Sequence, residues 1–201
     1  MWFNMRDSSF VDRCLNVIQA EILPLTTRGV ERGNKIFGAA ILAKSESRTI
    51  CAASNAEIEN PLFHGEIACL NRFWAMPRDS RPRPSDCFFL STHEPCSLCL
   101  SAITWSGFDN FTYAFRYSDS RDTFRIPHDL NILKEVFNCD DGSYTGDNAY
   151  WKSQCLIDLI DRGSEDERMR WSKHWDEIHA TYTALSEIYQ RQKSTGDIPL
   201  R

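Results

Sequence analysis

The stretch CFFLSTHEPCSLCLSAITWSGFDNFTYAFRY, residues 87–117, decides the fold class. It opens with a short apolar run of strand length and continues with a helical segment that ends at Gly107. A second strand-like run covers residues 110–117. A helix between two buried strands is typical of a parallel crossover connection. The stretch therefore predicts an α/β sandwich in which at least part of the sheet is parallel.

The segments before this stretch add two helices and a hairpin. Apolar residues at helical spacing predict a first helix over residues 9–23, and Pro24 is expected to end it. The runs KIFGAAILAK (35–44) and TICAASN (49–55) predict two strands, which the polar residues SESR connect. A further helix is predicted over residues 63–75, before a loop rich in proline and arginine.

The pattern loosens after residue 117. We expect a loop, a short helix over 129–137, a turn-rich loop and another helix over 148–160. Apolar residues at steps of three and four then predict one long amphipathic helix over 165–193. The sequence thus predicts one domain over residues 1–160. A C-terminal extension over 161–201 is expected to pack on this domain or on a dimer partner.

Composition narrows the classes of function. The chain has 201 residues, is 42% hydrophobic and carries a formal net charge of −5, which does not favour a polyanionic partner such as RNA. No apolar run is long enough to predict a membrane span. The first twenty residues lack the uninterrupted apolar core of a secretory signal, so we expect a cytoplasmic protein. In a reducing compartment, closely spaced cysteines indicate a metal or redox site more than a disulfide.

Four side chains form a candidate metal centre. Cys96 and Cys99 lie in the first turn of one predicted helix, and His64 begins another. Helix N-termini favour the thiolate form that zinc requires. Three protein ligands leave a fourth tetrahedral position open, which distinguishes catalytic from structural zinc and allows a water to become acidic. Glu66 is two residues from His64 and is available as the base.

These residues carry a resemblance to a known family. His64-Gly65-Glu66 followed by Pro95-Cys96-Ser97-Leu98-Cys99 matches the H-x-E and P-C-x-x-C signature of zinc nucleobase deaminases. Over roughly residues 35–117 the chain resembles the cytidine and deoxycytidylate deaminase superfamily. THEPCSLCLSAI is similar to the guanine deaminase and tRNA adenosine deaminase branch, and HGEI resembles fungal cytosine deaminase, in which glycine replaces the commoner alanine.

The resemblance implies a three-layer α/β/α sandwich with a mixed central sheet and a homodimer. It implies one Zn²⁺ per chain, held by His64, Cys96 and Cys99, with Glu66 as the catalytic proton shuttle. The activity would be hydrolytic deamination of a small nucleobase or nucleoside of the guanine or cytosine type, with release of ammonia. The predicted substrate contacts are Asn55, Phe63, Trp105 and Asp119. The spacing from Asn55 to His64 is shorter than is usual in the family, and Asp122 is an alternative to Asp119.

Two other interpretations stay open at this point. A tRNA adenosine deaminase-like editing enzyme would share the motif but should show a basic face. A non-catalytic, zinc-stabilised interaction domain would need a fourth protein ligand, for which His93, Cys87 and Glu94 are close in sequence. Solvent-exposed loop aspartates and core aromatic residues are the simpler explanations for the predicted substrate contacts.

Overall fold

The computed structural model of the protein describes residues 8–45 and 48–201. Glu46 and Ser47 of the predicted SESR connection lie outside the described residues. Within these residues, five strands form the central sheet: β1 (Gly38–Ala43), β2 (Thr49–Ser54), β3 (Cys87–His93), β4 (Asn110–Phe115) and β5 (Lys152–Cys155). Their spatial order is β2-β1-β3-β4-β5.

The described part of the chain has seven α-helices around this sheet: α1 (Ser8–Val17), α2 (Leu23–Glu31), α3 (Gly65–Trp74), α4 (Ser97–Trp105), α5 (His128–Phe137), α6 (Leu156–Asp161) and α7 (Glu165–Gln192). Two π-helical turns (Ile18–Ile22 and Asp119–Thr123) and three short 3₁₀ turns (Pro84–Asp86, Asp140–Gly142 and Lys193–Thr195) complete the described structure. Gly107 follows the end of α4 with a φ of +78°, a left-handed conformation that glycine adopts without steric cost.

The sheet is mixed. β1 pairs antiparallel with both β2 and β3, whereas β3–β4 and β4–β5 are parallel. The α4 crossover between β3 and β4 therefore has the parallel arrangement that the sequence predicts. Because alternate residues of a strand face opposite sides, β1 contributes Ala40 and Leu42 to one core and Ala39 and Ile41 to the other. The three-layer α/β/α prediction is confirmed.

The two cores differ in size. The larger one lies between the sheet and helices α1, α2, α6 and α7, and the smaller one lies beneath α3 and α4. The long helix α7 contributes Trp171, Ile178, Tyr182 and Tyr189 to the larger core. Met169, which the helical spacing places among the apolar positions, is instead 68% exposed. None of the described helices is both long enough and apolar enough to cross a membrane.

The prediction that Pro24 ends the first helix is wrong. The chain remains helical from Ser8 to Glu31, through the π-helical turn Ile18–Ile22. Proline breaks a helix interior because it lacks an N–H donor, but the first turn of a helix does not need that donor. Pro24 lies in the first turn of α2, after the Leu23 N–H has already bonded to the Ile18 carbonyl.

The predicted helix over 148–160 is correct only in its second half. Residues 152–155 form β5, which pairs parallel with β4, and α6 begins at Leu156. The free edge of β4 supplies backbone partners, so tertiary pairing overrides the local preference of this segment.

Candidate active site

Two helix N-termini meet at the carboxyl end of the sheet. His64 is the N-cap residue of α3, with an extended backbone at φ −61° and ψ 160°. Cys96 is the N-cap residue of α4, with φ −64° and ψ 171°, and Cys99 lies in the first turn of the same helix. The two helices pack on the same face of the sheet. They thereby bring His64 next to Cys96 and Cys99, which are 32 and 35 positions further along the chain.

The distances within this cluster fit a zinc ion. His64 Nδ1 lies 3.4 Å from Cys96 Sγ and 3.7 Å from Cys99 Sγ, and all three donor atoms lie within 4.8 Å of one another. Usual Zn–S and Zn–N bond lengths in a tetrahedron place such atoms roughly 3.5–3.8 Å apart. One nitrogen and two sulfur donors also match the ligand preference of zinc.

A fourth protein ligand is not found in residues 8–45 and 48–201. Among the described residues, the only group of potential ligands close enough to share an ion consists of His64, Cys96 and Cys99. Cys87 contacts the Arg83 carbonyl instead, and His93 is buried among aromatic rings. Glu94 accepts hydrogen bonds from the Tyr144 hydroxyl and the Tyr117 N–H. This arrangement leaves a coordination position open, as a catalytic site requires.

The electrostatics of the metal-free cluster favour one thiolate. A hydrogen bond from Cys99 holds the pKa of Cys96 well below its usual range, and the contact with His64 acts in the same direction. Burial raises the pKa of Cys99 well above its usual value. Burial lowers the pKa of His64, but the hydrogen bond and charge of Cys96 outweigh it and raise that pKa to about 9. A divalent cation would replace the protons that now balance these donors.

Glu66 lies against the same cluster. Its Oε2 accepts a hydrogen bond from Cys99 Sγ at 3.3 Å, and its Oε1 lies 2.8 Å from the Ser91 hydroxyl. The side chain is buried, and this burial, together with the negative charge of Cys96, raises the pKa of the Glu66 carboxyl. A carboxyl group with a raised pKa can both accept and return a proton near neutral pH.

A family model agrees with this geometry. The model of the cytidine and deoxycytidylate deaminase zinc-binding region matches residues 15–115, half of the chain, and includes all four of these residues. The chain belongs to the cytidine and deoxycytidylate deaminase family. The chain is thereby placed among proteins with a zinc-binding deaminase domain, and the expected resemblance is confirmed.

Solved structures show the same fold. Guanine deaminase from Nitrosomonas europaea is similar with a TM-score of 0.54 and 17% identity, over 85% of this chain and 81% of that chain. A mutant of NE0047 in complex with 8-azaguanine gives a TM-score of 0.56 and 16% identity, over 89% and 84%. No curated protein sequence matches significantly. At these identities the likeness establishes the fold of the chain but not its substrate.

A cavity of about 240 Å³ opens beside the cluster. His64 and Cys96 form part of its wall, whereas Glu66, which contacts Cys99, is not among the described residues that line it. Apolar side chains form most of the remaining wall: Phe37, Pro61, Leu62, Leu98, Ile126, Ile132, Ile198, Pro199 and Leu200. The last three belong to the C-terminal segment, which folds back to this site, where the Arg201 carbonyl lies 3.2 Å from His128 Nε2.

The four predicted substrate contacts do not occur among the described residues that line this cavity. Asn55 is buried, where its Oδ1 accepts a hydrogen bond from the Gly65 N–H and its Nδ2 donates to Glu57. Phe63 is half-buried and Asp119 accepts from the Arg116 N–H. Trp105 is 91% exposed at the end of α4. Their contact with substrate stays a prediction.

Sequence reasoning missed three charged residues on the cavity wall. Asp129 lies in the first turn of α5, and Lys35 and Glu57 form a buried ion pair with Nζ and Oε1 2.6 Å apart. The position of Lys35 at the start of the apolar run 35–44 is an available signal, because lysine is almost never buried without a partner. No comparable signal in the sequence indicates Asp129, whose segment lies outside the matched motifs.

Proposed function

We propose that the chain is a zinc-dependent hydrolase that removes the exocyclic amino group of a small nucleobase, with guanine as the first candidate substrate. The observation that carries this proposal is the cluster of His64, Cys96 and Cys99 with the buried Glu66 beside it. Water is the second reactant, and the products are the oxo base and ammonia.

Zinc held by these three ligands would lower the pKa of a bound water to near neutrality. Glu66 then acts as the base that accepts a proton and as the acid that delivers it. It would take one proton from the attacking water and deliver it to the ring nitrogen beside the amino-bearing carbon. It would take the second from the hydroxyl group then formed on that carbon and deliver it to the amine that leaves as ammonia. The raised pKa of Glu66 supports both roles, because the group must exist in both protonation states during turnover.

The size and lining of the cavity support a free base as substrate. A volume of about 240 Å³ lies just below the roughly 300–1,000 Å³ typical of pockets for drug-sized ligands. The mostly apolar wall suits the faces of a flat heteroaromatic ring. The few charged groups on the wall are available to hydrogen-bond the edge of that ring and so to orient it.

Asp129 supports guanine within this class. Its carboxyl group lines the cavity and has no hydrogen-bond or ion-pair partner among the described residues. Guanine carries two adjacent N–H donors, at N1 and at the 2-amino group, and a carboxylate accepts such a pair with both oxygens. Cytosine and adenine lack this pair. The similar structures include complexes with 8-azaguanine and 2,6-diaminopurine.

An ammonia-release assay tests the proposal. Zinc-loaded protein is incubated with guanine, cytosine and adenine, with their nucleosides, and with tRNA. We expect release from guanine, and we expect Glu66→Gln to reduce kcat by about 10²–10⁴-fold while zinc content is retained. Turnover of tRNA alone would favour the editing enzyme instead. No turnover of any of these substrates by a protein that holds zinc would favour the non-catalytic interaction domain.

A further inference from the structure

A buried ion pair lies next to the candidate zinc ligand His64, on the side of its Nε2 atom. Lys35 and Glu57 are only 5% and 2% exposed, and Lys35 Nζ lies 2.6 Å from Glu57 Oε1. Removing two charges from water costs several kcal/mol per ion, and apolar residues of similar volume often stabilise a protein as well or better. Stability alone therefore gives no reason for placing this pair in the wall of the cavity.

Glu57 is held by a complete set of donors. Its Oε2 accepts a hydrogen bond from Asn55 Nδ2 at 2.7 Å and lies 3.4 Å from the backbone N–H of Lys35. Asn55 in turn accepts from the Gly65 N–H, the first residue of α3. The network thus fixes the position of the Glu57 carboxylate relative to the start of the helix that His64 caps.

The imidazole of His64 lies between this carboxylate and the two thiols. Nδ1 faces Cys96 Sγ and Cys99 Sγ, whereas Nε2 lies 3.8 Å from Glu57 Oε1. The two ring nitrogens face different partners, and the negative charge of the carboxylate favours a proton on Nε2, which leaves Nδ1 free for a metal. Histidine ligands are commonly oriented in this way by a carboxylate at the opposite nitrogen.

We propose that Glu57 is a positioning residue. Its carboxylate attracts Nε2 of His64 and so turns Nδ1 toward the zinc, and Lys35 holds Glu57 in place. This inference rests on the proposed zinc site, but it does not depend on the identity of the substrate. It assigns a role in metal binding to a charged pair that lies outside the deaminase motif.

Zinc affinity of the metal-free protein tests the inference. We would measure it by competition with a chromophoric chelator for wild type, for Glu57→Gln and for the matched control Glu59→Gln. Glu59 is exposed and lies two residues away in the same loop. We expect Glu57→Gln to weaken zinc binding by about 10–100-fold and Glu59→Gln to leave it unchanged. The visible spectrum of the Co²⁺-substituted protein should also change in Glu57→Gln alone, because ligand orientation alters the geometry of the site.

A second variant separates positioning from folding. Glu57→Gln alone leaves the Lys35 ammonium buried without its counterion, whereas Lys35→Met combined with Glu57→Gln removes both charges together. We expect the double variant to unfold at a temperature close to that of wild type and still to bind zinc weakly. The inference would be overturned if either variant, while folded, bound zinc with the affinity of wild type. A wild-type protein that binds no zinc would overturn both this inference and the proposed function.

Discussion

At the scale of single residues, the site depends on charged groups whose surroundings differ although they lie close together. Glu57 is surrounded by donors, whereas Asp129 has none among the described residues and faces the cavity. A saturated carboxylate is suited to hold protein groups in place, and an unsaturated one is suited to bind a ligand. The two acidic residues therefore have separate predicted effects on metal binding and on substrate binding.

Asp129→Asn should lower kcat/KM for guanine by about 10–150-fold, because a hydrogen bond to a charged group contributes about 1.5–3 kcal/mol. Zinc affinity should not change, since Asp129 is not part of the ligand cluster. Steady-state ammonia release measures the first effect, and chelator competition measures the second. Glu135→Gln is the matched control, because Glu135 is exposed on the same helix. An unchanged kcat/KM would exclude Asp129 from guanine recognition.

His93 gives a prediction for the pH dependence of stability. The ring is buried against Phe115, Phe124 and Tyr182, its Nε2 has no hydrogen-bond partner among the described residues, and burial lowers its pKa well below the usual value. Below about pH 6.5 the unfolded chain binds a proton that the folded protein excludes. Stability is therefore lost as pH falls, by up to ~1.4 kcal/mol per pH unit.

The His93→Phe variant, which keeps an aromatic ring in this cluster, should lose that part of the pH dependence. Urea denaturation of the metal-free wild type and variant at pH 7, 6 and 5 gives the free energy of unfolding of each protein against pH. The difference between these two curves measures the contribution of His93. We expect the difference in free energy of unfolding to move by about 2 kcal/mol in favour of the variant between pH 7 and 5. Parallel curves would show that the folded and the unfolded protein bind the His93 proton equally.

At the scale of elements, the position of α3 relative to β1 sets the site. A Cβ atom on Gly65 would lie only 2.6 Å from Gly38 Cα and 2.8 Å from Gly38 N, which are backbone atoms that cannot rotate away. The glycine thus permits the N-terminus of α3 to approach the strand closely. His64 and Glu66, which flank Gly65, take their positions from this contact.

Gly65→Ala should destabilise the protein, although alanine favours helices, because the strand and the helix must separate. We expect a loss of about 1–3 kcal/mol in the free energy of unfolding, measured with urea, and weaker zinc binding. Gly29→Ala is the control, since its nearest contacts would be 3.5 Å away and it lies within α2. That change should be neutral or stabilising by up to about 1 kcal/mol. Equal stability of Gly65→Ala and wild type would contradict the close approach.

At the scale of the whole molecule, α4 connects the site to an exposed apolar surface. Trp105 is 91% exposed, and Leu98, seven residues earlier and therefore on the same face of α4, is 37% exposed and also lines the cavity. A large exposed aromatic residue is typical of a protein interface. This surface is consistent with the homodimer that the family resemblance implies, which stays a prediction.

Sedimentation equilibrium should therefore give a mass of twice that of the chain, and Trp105→Lys should weaken self-association by at least about tenfold, because aromatic anchors carry much of the binding energy. Met169→Lys is the control, since Met169 is 68% exposed on α7, away from this surface. A monomeric wild type, or a dimer indifferent to Trp105→Lys, would remove Trp105 from the interface.

The sequence alone determined the local parts of the site and most of the fold. The H-x-E and P-C-x-x-C spacings place three ligands and a base at two helix N-termini, since the first turn of a helix fixes the relative positions of residues two or three apart. The apolar runs of β1 to β4 and the helical spacing of α7 likewise need only their own residues to be recognised.

Tertiary structure alone decided what depends on distant partners. Residues 152–155 form a strand because β4 offers a free edge, and Pro24 is accommodated because a π-helical turn precedes it. Asp129 and the Lys35–Glu57 pair reach the cavity from separate segments. The charge state and partners of a buried group are set by whatever the fold packs around it, and no local pattern in the chain encodes those neighbours.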